Sequence, residues 1–372
     1  MTKPILLTAG GTGGHLFPAQ SLASELIRRG YDVELATDER ADKYGSAFPA
    51  RDVHIIASET LRGRSPVSII KTGLSLLRGT LQARSVIRRL QPSVVVGFGG
   101  YPTFPPMFAA RMTGTPSILH EANGVMGRAN RMLAKGVTAI AISSPLKGLD
   151  PALARKCVET GNPVRDAVID AARVPYPDQQ ADGLFRLLVF GGSQGAKFFS
   201  DALPPALKLL SEPQRARLHL VQQCRPEDLE RVRAEYQALG IHAELNSFFT
   251  DMPSRIAASH LVICRSGASS VSELTAIGRP SILVPLPGAL DQDQMVNARG
   301  LEAVGGAFVI PQGELSAERL AHEITCLMGT PETLRKAADV ARSQGKADAV
   351  QRLADLVEQV ASGAIILKGD GA

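Results

Sequence analysis

Two stretches of this chain are built alike. Residues 5–15 read ILLTAGGTGGH and residues 186–196 read RLLVFGGSQGA. Each is a short apolar run that ends in glycines and gives way to a helix-forming sequence. Such a run does not alternate, so it reads as a strand buried on both faces, and strands of that kind belong to parallel sheets covered by helices. The duplication predicts an α/β chain of two Rossmann-like, doubly wound domains in tandem. The remaining sequence keeps the same rhythm. Strands are expected at 4–8, 32–36, 93–97, 117–120 and 139–143, then at 185–190, 218–222, 261–264 and 281–285. Helices are expected at 19–29, 74–89, 198–210, 226–240, 270–277, 294–304, 317–328 and 347–360. The run RVPYPDQQADG at 173–183 has the composition of a linker. The expected organisation is a domain over 1–165, a linker over 166–184 and a domain over 185–346.

Several function classes are excluded early. At 372 residues the chain has room for two domains. Aromatics make up 5% and Trp is absent, which argues against base stacking and a nucleic-acid partner. Cys157, Cys224, Cys264 and Cys326 are far apart and none falls in C-x-x-C, so reduced thiols in a cytosolic chain are expected, with no zinc site. The first residues lack the order of a signal peptide. The longest uncharged stretch, 90–110, contains four prolines and three glycines, which no lipid-exposed helix tolerates.

Four glycine-rich turns stand out: Gly10 to Gly14, Gly97 to Tyr101, Gly191 to Gly195 and Arg265 to Ser270. A glycine turn at a helix N-terminus presents bare amides and the positive end of the helix dipole, which together hold phosphate. It can equally be a tight turn that needs glycine only for its backbone angles. A P-loop is not formed, because Ala196 and Phe198 stand where glycine and a hydroxyl residue are required. The dinucleotide pattern G-x-G-x-x-G is met by Gly11 and Gly13 but broken by Leu16. Glu34 lies near the expected ribose position, so a nicotinamide-dependent oxidoreductase remains an alternative.

These turns belong to longer motifs. The chain reads GGTGGHLFPA at 10–19, GFGGYPTFPP at 97–106, HEANGVMGRAN at 120–130 and GNPVR at 161–165. It continues with GGSQGA at 191–196, CRSGASSVSELTAIGRP at 264–280 and DQDQMVNA at 291–298. In this order and spacing the motifs resemble the MurG family, the N-acetylglucosaminyltransferases that convert lipid I to lipid II in peptidoglycan synthesis. The resemblance implies a GT-B fold with two Rossmann-like domains facing a central cleft. It also implies UDP-GlcNAc as donor, undecaprenyl-pyrophosphoryl-MurNAc-pentapeptide as acceptor, and inversion to a β-1,4 bond without a cofactor. A peripheral position on the cytoplasmic face of the inner membrane, a place in a cell-wall synthesis complex and a C-terminal helix, 347–360, that packs back on the first domain follow from the same resemblance. A related sugar-nucleotide enzyme, such as a UDP-GlcNAc 2-epimerase, is the within-class alternative.

By the same resemblance, Ser193 and the helix start Ala268, Ser269, Ser270, Val271 and Ser272 face the UDP phosphates, and Glu273 the ribose. Arg165 contacts the nucleotide, Phe249 the uracil through its backbone, and Gln294 the sugar hydroxyls. Thr12, Gly13, Gly14 and Asn123 contact the donor from the first domain. Ala122 and Asp293 depart from the family's HEQN and Gln-Gln patterns. Gly99, Gly100, Tyr101, His120 and Glu121 are placed on the acceptor. His15 is the candidate general base, since an imidazole with a pKa near 6.5 can take the acceptor proton near neutrality; binding of acceptor or phosphate is its other reading. Asp291 and Asp293 look like a metal-binding D-x-D, but in a Pro/Gly-rich loop of a GT-B-like chain no required metal is expected.

From Thr60 to His120 eight basic residues occur with no acidic one: Arg62, Arg64, Lys71, Arg78, Arg84, Arg88, Arg89 and Arg111. Ile69, Ile70, Leu74, Leu76, Leu77, Leu81, Val86 and Ile87 are interleaved with them. A basic amphipathic region suits an anionic membrane surface; a solvated helix with an ordinary core face has the same pattern.

Overall fold

The computed structural model describes residues 3–10, 13–39, 48–58, 66–146, 148–180, 182–288 and 292–364, without the side chains of 66–70 and 193–195. The chain forms two compact units. Unit 1 comprises Met1–Arg165 with Ala347–Ala372, and unit 2 comprises Asp166–Lys346.

Unit 1 holds β1 (Ile5–Thr8), β2 (Val33–Thr37), β3 (Val53–Ile55), β4 (Val94–Gly97), β5 (Ser117–Glu121), β6 (Ala139–Ile142) and β7 (Cys157–Glu159). They lie in the order β3-β2-β1-β4-β5-β6-β7, every pair parallel. Unit 2 holds β8 (Phe185–Phe190), β9 (Leu218–Gln223), β10 (His242–Asn246), β11 (Leu261–Cys264), β12 (Ser281–Leu283) and β13 (Ala307–Val309). Their order is β10-β9-β8-β11-β12-β13, again all parallel. Each sheet therefore has the 3-2-1-4-5-6 order of a doubly wound fold, with a switch point between its first and fourth strands.

The strand residues of unit 1 are sorted by the pleat. Ile5, Leu7, Val94 and Val96 enter one core layer with Leu22 and Leu26 of the helix Gly13–Arg28. Leu6, Val95 and Leu119 enter the opposite layer with Ala83 and Ile87 of the helix Pro66–Leu90 and Met107 of the helix Phe104–Thr113. The first layer is completed from the far end of the sequence. Leu353, Leu356, Val357 and Val360 of the helix Ala349–Ala361 are buried in it. Arg29 fixes that helix from the rim through Asp355 at 2.7 Å and Glu358 at 3.0 Å.

The first helix of each unit starts earlier than its composition suggests. Gly13–Arg28 and Gly192–Lys208 both begin inside the glycine turn. The expected linker over 166–184 is corrected. Residues Asp166–Ala172 are helical and pack on the helices Met252–Ala258 and Ala268–Ile277. The carbonyls of Val174 and Pro175 accept from the buried Arg279 at 3.2 and 2.9 Å, and Ala172 accepts from Arg342 at 2.8 Å. The imidazole of His260 accepts from the amide of Arg186 and donates to Asp178, while its carbonyl accepts from Tyr176. The segment is thus a strap of unit 2, held mainly through its main chain. Among the described residues no helix is long and apolar enough to cross a membrane.

Candidate active site

The four glycine turns follow β1, β4, β8 and β11, the two strands flanking the switch point of each sheet. The turns of one unit must leave side by side, because Thr8 is in register with Gly97, and Phe190 with Cys264. This carboxyl end of the sheet is where doubly wound folds bind ligands.

In unit 1 the turn after β4 closes on His15. Gly99 and Gly100 have φ of 86° and 80°, a region that favours glycine. A Cβ built on Gly100 would stand 3.3 Å from Cδ2 and 3.4 Å from Nε2 of His15, and one on Gly99 3.5 Å from Cε1. The glycines therefore let backbone approach the imidazole closely. Thr103 Oγ1 holds the turn by donating to the Gly99 carbonyl at 2.6 Å. Tyr101 opens the short 3-10 turn Tyr101–Thr103 and is half-buried. A side chain at Gly14 would meet nothing within 4 Å, whereas one at Gly13 would meet Phe17 at 3.0 Å. Thr12 and Gly11 lie outside the described residues.

His120 and Glu121, expected at the acceptor, are placed inside unit 1. Both are buried at the end of β5 and engaged internally. Glu121 accepts from the amides of Asn123 and Gly127 at 3.1 and 2.9 Å and from Asn130 Nδ2 at 2.7 Å. Burial raises its pKa, and those bonds oppose the rise. The carboxyl is the hub that shapes the 122–127 loop, and it also receives the side chain of Asn123 at 3.3 Å. His120 Nε2 donates to the Gly161 carbonyl at 3.3 Å, and burial pushes its pKa down to about 4. It thereby supports the loop that ends in Arg165, whose guanidinium lies 4.4 Å from the ring centre of Phe17. Asn130, absent from the sequence reading, bonds both partners and lies against Gly99. It closes the HEANGVMGRAN motif, on the short helix Arg128–Leu133, and that motif was the available signal.

In unit 2 the turn after β8 has Gly192 at φ 63°, with its amide donating to Gln223 Oε1 at 3.1 Å. Gln223 in turn donates to the Ser247 carbonyl, tying this turn to the one after β10. The side chain of Ser193 is outside the described set. After β11, Gly267 caps the helix Ala268–Ile277 and has nothing within 4 Å of a built Cβ. Ala268, Ser269, Ser270, Val271, Ser272 and Glu273 are half-buried along its first turns. Ser272 Oγ donates back to the Ala268 carbonyl, and Glu273 acts electrostatically on the buried Cys264 thiol. Phe249 is buried under Arg255, which leaves its backbone as the part a base could meet. Gln294 Oε1 accepts from the Leu286 amide at 3.0 Å, and its carbonyl accepts from Ser266 Oγ at 2.8 Å. It ties Leu286, just past β12, to the first turn of the helix Asp293–Ala303. Asp291 lies outside the described residues.

Arg265, named in the sequence only as the start of the fourth turn, was given no role of its own. It is buried, donates to the carbonyls of Val284 and Pro285 and to Gln312 Oε1, and lies over Phe198 and Phe199. The nicotinamide reading loses its acid, since Glu34 is 1% exposed and engaged by Arg51 and His54 at the start of β2.

Residues 5–142 match the glycosyltransferase family 28 N-terminal domain and residues 186–353 the glycosyltransferase family 28 C-terminal domain. A Sinorhizobium medicae relative is 56% identical over 364 residues, covering 98% of this chain and 97% of its own. It is named UDP-N-acetylglucosamine--N-acetylmuramyl-(pentapeptide) pyrophosphoryl-undecaprenol N-acetylglucosamine transferase. The crystal structure of Acinetobacter baumannii MurG is 28% identical, covers 96% of this chain and 99% of that one, and superposes with a TM-score of 0.76. A UDP-GlcNAc 2-epimerase from Neisseria meningitidis is similar in fold alone, at 16% identity and a TM-score of 0.66 over 95% of this chain and all of that one. With both halves matched and a full-length relative above half identity, the chain belongs to glycosyltransferase family 28 and, within it, to the MurG family of GT-B enzymes.

Proposed function

We propose that the chain transfers GlcNAc from UDP-GlcNAc to the MurNAc 4-hydroxyl of undecaprenyl-pyrophosphoryl-MurNAc-pentapeptide, giving lipid II. The observation that carries this reading is the placement of all four glycine turns at the two switch points. Each unit thereby offers amide groups to one phosphate-bearing substrate. The donor diphosphate is held on unit 2 by the turns at 191–193 and 267–270, with Ser193 and the helix start 268–272 around it. Glu273 takes the ribose hydroxyls, Gln294 the sugar, the backbone at Phe249 the uracil, and Arg165 with Asn123 contribute from unit 1. Gly99, Gly100 and Tyr101 take the acceptor pyrophosphate, and Thr12 to Gly14 line the reacting end. His15 takes the proton of the acceptor hydroxyl as its oxygen attacks the anomeric carbon. The bond from that carbon to phosphate breaks, UDP leaves with the electron pair, and the anomeric centre inverts. The developing charge on UDP is stabilised by fixed amides and a helix dipole. The test is transfer of labelled GlcNAc to lipid I; labelled UDP-GlcNAc epimerised without an acceptor would replace this reading with the epimerase.

The lipid acceptor calls for a membrane surface, and unit 1 offers one. On the helix Pro66–Leu90, Leu74, Leu77 and Leu81 are 63%, 58% and 55% exposed at helical spacing. Phe108 and Met112 are exposed on the adjoining helix, while Val86 and Ile87 turn inward to the core and leave the membrane set. Lys71, Arg78, Arg88 and Arg89 are exposed on the same helix as that stripe. Arg62, Arg64, Ile69 and Ile70 fall outside the described residues or side chains. The proposed location is the cytoplasmic face of the inner membrane, held peripherally by this surface. Sedimentation with liposomes tests it: binding should rise with anionic lipid and fall with salt.

A further inference from the structure

Among the described residues the buried cation at the end of β11 in unit 2 has no anion. Arg265 is 6% exposed, and its guanidinium is bonded to the carbonyls of Val284 at 3.0 Å and Pro285 at 3.3 Å and to Gln312 Oε1 at 2.6 Å. It lies 4.7 Å from the ring centre of Phe198, in the helix that starts at the turn after β8. Every one of these partners is neutral, and among the described residues no carboxylate comes within ion-pair distance of it. Guanidinium does not lose its proton in proteins. A buried charge left without a counter-ion is costly to a fold. The chain tolerates that cost at the carboxyl end of β11, directly before the helix start that faces the donor phosphates.

We infer that Gln312 is a positioning residue for the donor. Its amide oxygen aims the Arg265 guanidinium while leaving the positive charge uncancelled for an incoming diphosphate. The inference rests on the donor reading above. Of the three acceptors on Arg265, two are main-chain carbonyls, so Gln312 is the one whose charge a substitution can change. Gln312 stands just past β13, in the short 3-10 turn Gln312–Glu314, where nothing in the sequence marks it as part of a phosphate site.

Two near-isosteric variants separate electrostatics from packing. Gln312→Glu keeps an acceptor at the same place but brings a negative charge. Gln312→Leu keeps the volume and removes the acceptor without adding charge. If the neutrality of the amide matters, Gln312→Glu should raise the Kd for UDP and the KM for UDP-GlcNAc by about tenfold or more, through cancellation of a buried charge. Gln312→Leu should raise both by less, the KM for lipid I should hold in each, and inhibition by uridine, which has no phosphate, should be unchanged. A purely structural role predicts the reverse order, because a carboxylate makes the stronger bond to guanidinium. A Kd for UDP within twofold of the unmodified chain in Gln312→Glu, or a larger loss in Gln312→Leu, overturns the role of Gln312 alone. An unmodified chain that fails to bind UDP overturns the donor reading and this inference together. Thermal unfolding of both variants confirms that folded protein was compared.

Discussion

The two units share a strand order and a pair of glycine turns at the switch point, yet they arm those turns differently. In unit 1 the turn after β4 closes on a titratable ring, His15. In unit 2 the described residues pack no such ring on the turns, and a fixed cation, Arg265, sits behind them. The scaffold ends two neighbouring strands in glycine turns in both cases. What stands behind the glycines decides whether a unit can move a proton or only hold charge. The units also differ in how they are completed. Unit 2 is one continuous segment, whereas unit 1 needs a helix from beyond it.

That last difference should give the largest effect. Ending the chain at Lys346 removes Leu353, Leu356, Val357 and Val360 from the core of unit 1. At roughly 1.5–3 kcal/mol for each buried side chain, the loss is comparable with the whole stability of a domain. Unit 1 should unfold, read as lost helical signal and proteolysis confined to it, while unit 2 still binds UDP. Two intact unfolding transitions in the shortened chain would break the comparison. Next, His15→Ala should lower kcat by about 10²–10⁴-fold and leave the Kd for UDP within about twofold, if the proton task and the charge task are divided between the units as proposed. A loss of less than about tenfold in kcat would remove the base from unit 1.

Acid should act on both units alike. His120 in unit 1 and His260 in unit 2 are each held neutral by burial, with pKa lowered to about 4. The unfolded chain binds their protons first, near pH 6.5, so each contribution is present above that pH and is lost as pH falls toward 4. The loss is at most about 3 kcal/mol per residue. His120→Gln should flatten the acid limb of one unfolding transition only. The smallest effects sharpen the contrast between turns. Gly100→Ala should cost about 1–2 kcal/mol through its positive φ and lower kcat by crowding His15. Gly267→Ala has an ordinary φ of −61° and open space, so the fold should be unmoved while UDP binds more weakly. Equal behaviour of the two variants would mean that the turns do not differ as described.

The central strands were legible because burial on both faces writes an uninterrupted apolar run. The four strands that escaped notice are β3, β7, β10 and β13, which are the outer strands of the two sheets. An outer strand is half exposed, as the burial along β10 shows, and its sequence looks like a loop. The glycine turns were legible as local motifs. The partners that fix them were not: Gln312 lies 47 residues from Arg265, and Arg279 reaches back 104 residues to Pro175. The strap at 173–183 reads as a linker because much of its attachment runs through the carbonyls of Val174, Pro175, Asp178 and Gly183, which leave no mark on side-chain composition. His120 and Glu121 were recognised as a polar pair at a strand end, but only burial shows that they face inward.

The return of the helix Ala349–Ala361 to the first sheet has a consequence for synthesis on the ribosome. Residues 166–346 emerge as one uninterrupted stretch and can finish folding as soon as they are made. The earlier-made 165 residues must wait, one face of their sheet uncovered, until the helix Ala349–Ala361 has been made. The part of the molecule that is born first is therefore the part that matures last.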